Sequence, residues 1–427
     1  MSTVLLVVVS VNVILALLFS IGAAPIMVWL ERRVAGFIQD RLGPNRCNIK
    51  GIRLGGLIQS FADMLKLVFK EDFRSSTIKE RFLFSLSPVI VFVCAFLAFM
   101  VVPFADNLVL FDEVYVMQAV PVELGVLWFL AFAGLGVYGI MIGGWASNNK
   151  YSLLGSIRSS AQMISYEAAM ALSLVSVLVT YGSLNLVDAV NFQAQLIFGF
   201  IPAWGVLIQP VATIIFIITA FAEANRTPFD IAEGESEIVG GFHTEYSAMR
   251  FGLFFVGEYV AISTSSAFIV TLFFGGYHLP WLDTQVLKGN MPTVLAVAMV
   301  VIPLISFIFM RWVYKNNIWL DKNDARNKES IWLLKILLFK NVVILSLLGY
   351  ALFVGIGENV TNILTCILQV VTFAIKLLLV NFFFIWVRWT LPRFRYDQLQ
   401  TLGWKVLMPL AIANIFITAT FIVVMGV

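Results

Sequence analysis

Val4–Leu30 reads VLLVVVSVNVILALLFSIGAAPIMVWL, a run without a charged residue that stops at Glu31, Arg32 and Arg33. It is longer than the roughly 20 apolar residues that cross a bilayer core. It is too long for a secretory signal and has no basic residue before it, so it is expected to be a mature membrane helix. Nine further runs have the same character: Ser85–Ala105, Ala119–Ala146, Gln162–Tyr181, Ala203–Ala222, Phe251–Gly276, Met291–Trp312, Leu333–Gly355, Asn362–Val387 and Lys405–Met425. The expected fold is all-α, a polytopic integral membrane bundle of about ten transmembrane helices.

Composition agrees. The 427 residues are 60% hydrophobic and 12% charged, against about 25% charge in a soluble domain. This excludes an ordinary soluble enzyme, a disordered chain and a nucleic-acid binder. Continuous apolar runs also exclude the alternating strands of an outer-membrane barrel. Cys47, Cys94 and Cys366 are isolated, and His243 and His278 are the only histidines. No iron–sulfur, zinc or paired-histidine haem signature exists, so the chain is expected to bind no metal and no cofactor of its own.

Basic residues orient the helices. Glu31–Phe84 holds eleven Lys/Arg, and the alternate loops after it hold Lys150 and Arg158, Arg226 and Arg250, Lys315, Lys322, Arg326 and Lys328, and Arg393 and Arg395. The loops between these contain only Lys288. The basic loops therefore face the cytoplasmic or matrix side. Within the first of them, Leu57, Ile58, Phe61, Met64, Leu65, Val68 and Phe69 recur at helical spacing opposite Gln59, Asp63, Lys66 and Lys70. An amphipathic helix lying in the membrane surface is expected there. Gly134, Gly136, Gly139 and Gly143 suit close helix packing.

Charged groups inside spans cost about 2.5–3.5 kcal/mol each on insertion scales, so they demand a partner, a water path or a function. Glu167 and Glu258 fall roughly 7–11 Å below the inner surface. Glu223 ends the fifth span and Glu31 the first. Carboxylates grouped in low dielectric share and pass protons; separately hydrogen-bonded structural carboxylates are the alternative. Glu123 suits a helix N-terminus. Lys376 falls near mid-membrane, where it fits a buried ion pair or a proton carrier. Lys340 is read as snorkelling from nearer the inner end. The inside loop ANRTPFDIAEGESEIVGGFHTEYSAMR (Ala224–Arg250) sets Asp230, Glu233, Glu235, Glu237 and Glu245 against only Arg226 and Arg250. It reads as the mouth of a proton or ligand path, with His243 and Tyr246 able to hold a polar head group.

Five ordered segments carry a family resemblance: WLERRVAGFIQDRLGPNR (Trp29–Arg46), GGLIQSFADMLKLVFKED (Gly55–Asp72), GWASNNKYSLLGSIRSSAQMISYE (Gly144–Glu167), FAEANRTPFDIAEGESEIVGGFHTEYSAMRF (Phe221–Phe251) and VRWTLPRFRYDQLQTLGWK (Val387–Lys405). Together they resemble one family of membrane subunits of respiratory complex I (NADH:quinone oxidoreductase), whose mitochondrial counterpart is NADH dehydrogenase subunit 1. That family usually has eight spans, so 277–361, with its loop KNNIWLDKNDARNKES, is expected to be an inserted helix pair between a core of 1–276 and the last two family helices of 362–427. Ala232 and Gly234 depart from the usual acidic-loop pattern.

The resemblance implies an enzyme subunit of a proton-translocating oxidoreductase, with quinone as substrate and no redox centre in this chain. Flavin and iron–sulfur clusters would belong to partner subunits. The implied partners are peripheral-arm iron–sulfur subunits, other membrane-arm subunits, quinone and lipid, with no nucleic acid. It matches Arg32, Gln39, Asp40, Arg41, Arg46, Phe61, Asp63, Arg226 and Glu245 to the quinone chamber and its entrance. Glu167, Glu223, Glu258, Asp230, Glu233, Glu235 and Glu237 match the proton-coupling path, and Arg393 and Arg395 a docking face. No catalytic residue is assigned with certainty. A bacterial cytoplasmic membrane is the expected location, ahead of an organelle inner membrane. The equivalent subunit of a membrane-bound hydrogenase or other-donor complex, and an ion transporter, are the alternatives.

Overall fold

In hydrocarbon every backbone N–H and C=O must be satisfied within its own segment, so long apolar runs become helices. A computed structural model describes residues 3–49, 52–197, 199–232, 234, 239–316, 325–354 and 357–425. Its helices are α1 (Thr3–Ser20), α2 (Ala23–Ile38), α3 (Ile58–Phe69), α4 (Arg81–Phe99), α5 (Gly125–Ala146), α6 (Lys150–Tyr181), α7 (Leu186–Gln193), α8 (Gly205–Ile208), α9 (Pro210–Glu223), α10 (Ala248–Phe273), α11 (Thr284–Gly289), α12 (Met291–Asn316), α13 (Ala325–Val354), α14 (Glu358–Thr390), α15 (Tyr396–Thr401) and α16 (Met408–Met425). Two short hairpins, Leu108–Leu110 with Glu113–Tyr115 and Leu196–Ile197 with Ile201–Pro202, are the strands among the described residues.

Nine described helices are long and apolar enough to cross a membrane, α1 and α2 counting as one span of Val4–Ile38. The tenth expected span is the exception. Pro210 lacks an N–H and restricts Gln209, which leaves the helical region at φ −125°, ψ 60°. The run therefore splits into α8 and the 14-residue α9. At about 1.5 Å per residue, α9 rises roughly 21 Å, short of a 30 Å core. Its broken end is closed by polar side chains. Gln209 Nε2 donates to Thr180 Oγ1 (2.9 Å) and Thr418 Oγ1 (3.0 Å), and Asn414 Nδ2 donates to Gln209 Oε1 (3.1 Å).

Burial ranks the helices. In the membrane window of α10, 72% of residues are buried, against 6% in that of α13. Thus α10 is the axis of the bundle, packed by α4, α14 and α9, while α12 and α13 pack mainly on each other at the periphery. Phe99, Phe129, Tyr166, Phe216, Phe268 and Phe273 form the centre of the core. Leu287, Met291 and Leu295 join α12 to Leu364 and Leu368 of α14 at the outer end. The amphipathic α3 forms as expected, with Phe61, Leu65 and Phe69 exposed.

Lys376 finds backbone partners beyond the end of α10. Beyond α10 the chain turns through Gly275 (φ +70°) and Gly276 (φ +47°), a conformation that glycine adopts without strain. Lys376 Nζ of α14 donates to the carbonyl oxygens of Phe274 (2.8 Å), Gly276 (2.9 Å) and His278 (2.7 Å). Its three protons thereby meet the carbonyls of the C-cap and of the turn that follows it. The lysine caps a helix from a neighbouring one and makes no ion pair among the described residues.

Candidate functional site

The end of α9 builds the site. Asn225 takes the left-handed conformation (φ +47°), which asparagine tolerates at a helix C-terminus. It is held there by Ser159 Oγ and Gln162 Nε2, which donate to its Oδ1 at 3.2 and 3.4 Å. The turn sends Arg226 back toward α10. Its Nη2 lies 3.5 Å from Glu258 Oε2, and the two side chains are only 5% and 12% exposed. Its guanidinium also sits 4.4 Å from the Tyr259 ring centroid, a cation–π distance. On the far side of that ring system, Tyr259 donates from its hydroxyl to Glu31 Oε2 (2.5 Å), and Arg388 pairs with Glu31 Oε1. Arg388, Glu31, Tyr259, Arg226 and Glu258 thus form one continuous polar chain across α14, α2 and α10.

A cavity of about 60 Å³ adjoins it, walled by apolar and small side chains of α4 and α5 and bearing Glu223, Asn225 and Glu258 at its polar end. At roughly 10–15 Å³ per water it has room for about four to six. Glu223 is 8% exposed, and its Oε2 has no hydrogen-bond partner among the described residues. Glu167 stands close enough for the two charges to interact. The structure therefore brings Glu167, Glu223 and Glu258 together, as the sequence suggested, and adds Arg226 to them.

Gly134 gains a specific reason. A Cβ on it would lie 2.5 Å from Glu167 Oε1, whereas one on Gly136 would meet only Cys94 Cβ at 4.0 Å. Gly134→Ala is expected to turn the Glu167 carboxylate aside at a cost of about 0.5–1.5 kcal/mol, because the clashing atoms are the far end of a flexible side chain. Gly136→Ala should stay within about 0.5 kcal/mol. Thermal unfolding of the two variants in the same detergent checks this contrast.

The other expected site residues form separate groups. Asp230 pairs with Arg393 Nη2 at 2.8 Å, and Phe394 N donates to Pro228 O at 3.0 Å. Arg393 therefore ties the last inside loop to the turn after α9, while remaining exposed on that face. Arg395 is exposed and paired with Asp397 at 2.6 Å. Glu245 accepts from Asn149 Nδ2 at 2.7 Å. The neighbouring Tyr246 stacks on Phe84 at 4.0 Å between ring centroids, and burial pushes its hydroxyl up to about 12, so it is neutral and serves as a hydrogen-bonding group. Glu233, Glu235 and Glu237 lie outside the described residues.

Arg32 belongs to α2, not to the loop that follows it, and its Nη2 lies 2.6 Å from Asp63 Oδ2 on α3. This pair holds the polar face of α3 against α2 and leaves the Phe61 face exposed. Gln39 accepts from Arg41 Nε at 2.7 Å, and Asp40, Arg41 and Arg46 are exposed. Trp29 Nε1 donates to Gly55 O at 3.1 Å, and Arg33 donates to the same oxygen. Glu329 of α13 accepts from Leu54 N at 3.0 Å and from Arg53 N. No group of three or more His, Cys, Asp or Glu able to hold a metal occurs among the described residues.

Sequence reading missed Tyr259, Arg388 and Asn225. Each lies in or beside a segment whose acidic or basic neighbours drew attention, but only the crossing of α2, α10 and α14 joins Tyr259 and Arg388 through Glu31, and only the packing of α6 on α9 gives Asn225 its partners.

A family model described as NADH dehydrogenase matches residues 11–316 and 331–419, so the connection between α12 and α13 falls outside it. The chain is 40% identical over 390 residues to the H subunit of the NADH-quinone oxidoreductase of Flavobacterium psychrophilum, covering 91% of this chain and 90% of that one. It is 37% identical over 413 residues to the corresponding polypeptide of Flavobacterium johnsoniae, covering 96% and 94%. To NADH-quinone oxidoreductase subunit 8 of Rhodothermus marinus it is 40% identical over 397 residues, covering 93% and 92%.

Proposed function

The chain belongs to the NADH dehydrogenase family, and on that basis we propose that it is the membrane subunit of an NADH:quinone oxidoreductase that forms much of the quinone chamber and couples quinone reduction to proton translocation. The observation that carries this reading is the cavity bearing Glu223 and Glu258, with Glu258 joined to the inner ends of α2 and α14 through Arg226, Tyr259, Glu31 and Arg388.

A quinone needs an apolar way in from lipid and a polar end for its head group. The exposed face of α3, with Phe61 and Phe69, suits the first, and Arg32, Asp63 and the loop Gln39–Arg46 suit the second. Reduction takes two electrons, delivered by an iron–sulfur subunit on the inner side, and two protons, giving the quinol. While the head group carries negative charge, the arginines nearest it are drawn toward it. Arg226 shares Tyr259 with the Glu31–Arg388 pair, so a shift on one side weakens its hold on Glu258 on the other. Glu258 then takes a proton that Glu223 and Glu167 exchange through the cavity. Asp230, Glu233, Glu235 and Glu237 are read as the proton-coupling residues of the inside loop, and Glu245 as one that holds the quinone head group. The bacterial relatives favour the cytoplasmic membrane of a bacterium, and the α12–α13 pair is read as an attachment to a core of 1–276 and 362–427.

The test uses the intact complex in sealed vesicles. Glu223→Gln keeps the shape of the side chain but cannot lose a proton. It is expected to lower the rate of coupled turnover and pumping by about 100-fold or more, the scale of losing a proton-transfer group, while the complex still assembles. Full pumping at normal rates in Glu223→Gln and in Glu167→Gln would overturn the coupling role.

A further inference from the structure

The chain between α2 and α3 turns through three consecutive left-handed residues, Leu54 (φ +49°), Gly55 (φ +64°) and Gly56 (φ +97°). Glycine adopts this conformation freely, whereas a leucine does so only at a cost in free energy. Arg53, just before them, is in the right-handed region at φ −110°, ψ −19°. A right-handed residue followed by a left-handed one points successive backbone N–H groups to one side, which makes a concave seat for an anion. Glu329 of α13 fills that seat. Its carboxylate accepts from Leu54 N at 3.0 Å and from Arg53 N. The Arg33 guanidinium stands close enough to feel the same charge. A carboxylate 275 residues further along the chain therefore offsets the strain at Leu54.

The turn touches both halves of the quinone entry proposed above. Gly55 O accepts from Trp29 Nε1 and from Arg33 Nε, both at 3.1 Å, which fixes the turn to α2. Arg53 Nη1 donates to Asn45 Oδ1 at 3.0 Å. A Cβ on Gly56 would lie 2.2 Å from Pro44 O, so the loop 39–46 rests directly on the turn. On the other side Leu57 leads into α3, whose Phe61 is exposed. We infer that Glu329 is a positioning residue for quinone entry: seated in the turn 53–56, it holds the loop 39–46 and the start of α3 in the arrangement that admits quinone. The α12–α13 pair, peripheral in the bundle, thus reaches the entrance through one side chain. This role rests on the quinone reading above, not on the route of protons. Without the carboxylate, the turn spends only a fraction of its time in the admitting arrangement. Apparent affinity for quinone falls by that fraction, while turnover of bound quinone is kept.

The experiment uses the intact complex in its native membrane and a decyl-tailed quinone with the head group of that membrane's own quinone. Glu329→Ala is expected to raise KM for this quinone about tenfold, the scale of losing hydrogen bonds to a charged group. Its kcat should stay within about twofold. NADH oxidation by ferricyanide, which bypasses quinone, should be unchanged and reports normal assembly. Glu329→Gln keeps an acceptor oxygen without the charge and should fall between. Leu54→Gly removes the strain that the carboxylate offsets, so Glu329→Ala with Leu54→Gly should return KM to within about threefold of the unaltered complex. An unchanged KM in Glu329→Ala would overturn the inference, as would a fall in kcat without a rise in KM, or a raised KM that Leu54→Gly does not lower. Loss of ferricyanide activity in every Glu329 variant would make the residue structural and would equally overturn it. A photoreactive azido derivative of the same quinone tests the underlying reading separately. In the unaltered complex it should label this chain between residues 39 and 69. If it labels other subunits only, the quinone reading falls, and this role with it.

Discussion

Arg226→Met is expected to destabilise the assembled complex by about 3–5 kcal/mol, because it leaves Glu258 buried without its cation, and to remove most quinone turnover. The two losses have different causes and can be separated. Arg226→Met with Glu258→Met replaces a buried pair by apolar groups of similar size, which is often neutral for stability. The double variant should therefore recover the thermal midpoint but not turnover. Arg226→Lys keeps the charge but loses the planar group that lies 4.4 Å from the Tyr259 ring centroid, and should fall between the two. Thermal unfolding and NADH:quinone turnover of the three purified complexes decide it. Unchanged turnover in Arg226→Met would remove the polar chain from the mechanism and leave it a structural clamp.

Lys376→Met is expected to act on stability first. Three carbonyl oxygens, those of Phe274, Gly276 and His278, lose their donor at once. A buried acceptor left unsatisfied costs about 1–3 kcal/mol, so the sum is about 3 kcal/mol or more. The measurable result is a lower yield of the chain in membranes and protease cleavage near Gly275–Gly276 in the variant only. A complex of normal yield and stability that fails only in pumping would instead return Lys376 to the role of proton carrier.

The bundle was legible in the sequence because lipid imposes one rule on every span, and apolar length reports it directly. The rule weakened where local chemistry intervened. Pro210 split a run whose hydropathy is continuous, and Arg32 remained helical because nothing at Glu31 ends α2. The inward carboxylates were legible as anomalies, since each is a charge in an apolar run. Their partners were not: Arg393 reaches Asp230 across 163 residues and Arg388 reaches Glu31 across 357. Those pairs are chosen by which helices cross, and no local pattern encodes the crossing. Gly134 was similarly hidden, because a glycine that makes room for a carboxylate has the same sequence signature as one that lets helices pack.

The contact between Glu329 and the backbone of Arg53 and Leu54 also sets an order in time. The loop that follows α2 is synthesised early, but the side chain that fixes its turn arrives 275 residues later. At about 5–20 residues per second, the loop waits roughly 15–55 s for it. During that interval the turn at Arg53–Leu54, just before α3, lacks the acceptor that Glu329 provides. A partner that recognised the finished loop would therefore bind only after α13 has entered the membrane, so that maturation of this surface is timed by the ribosome.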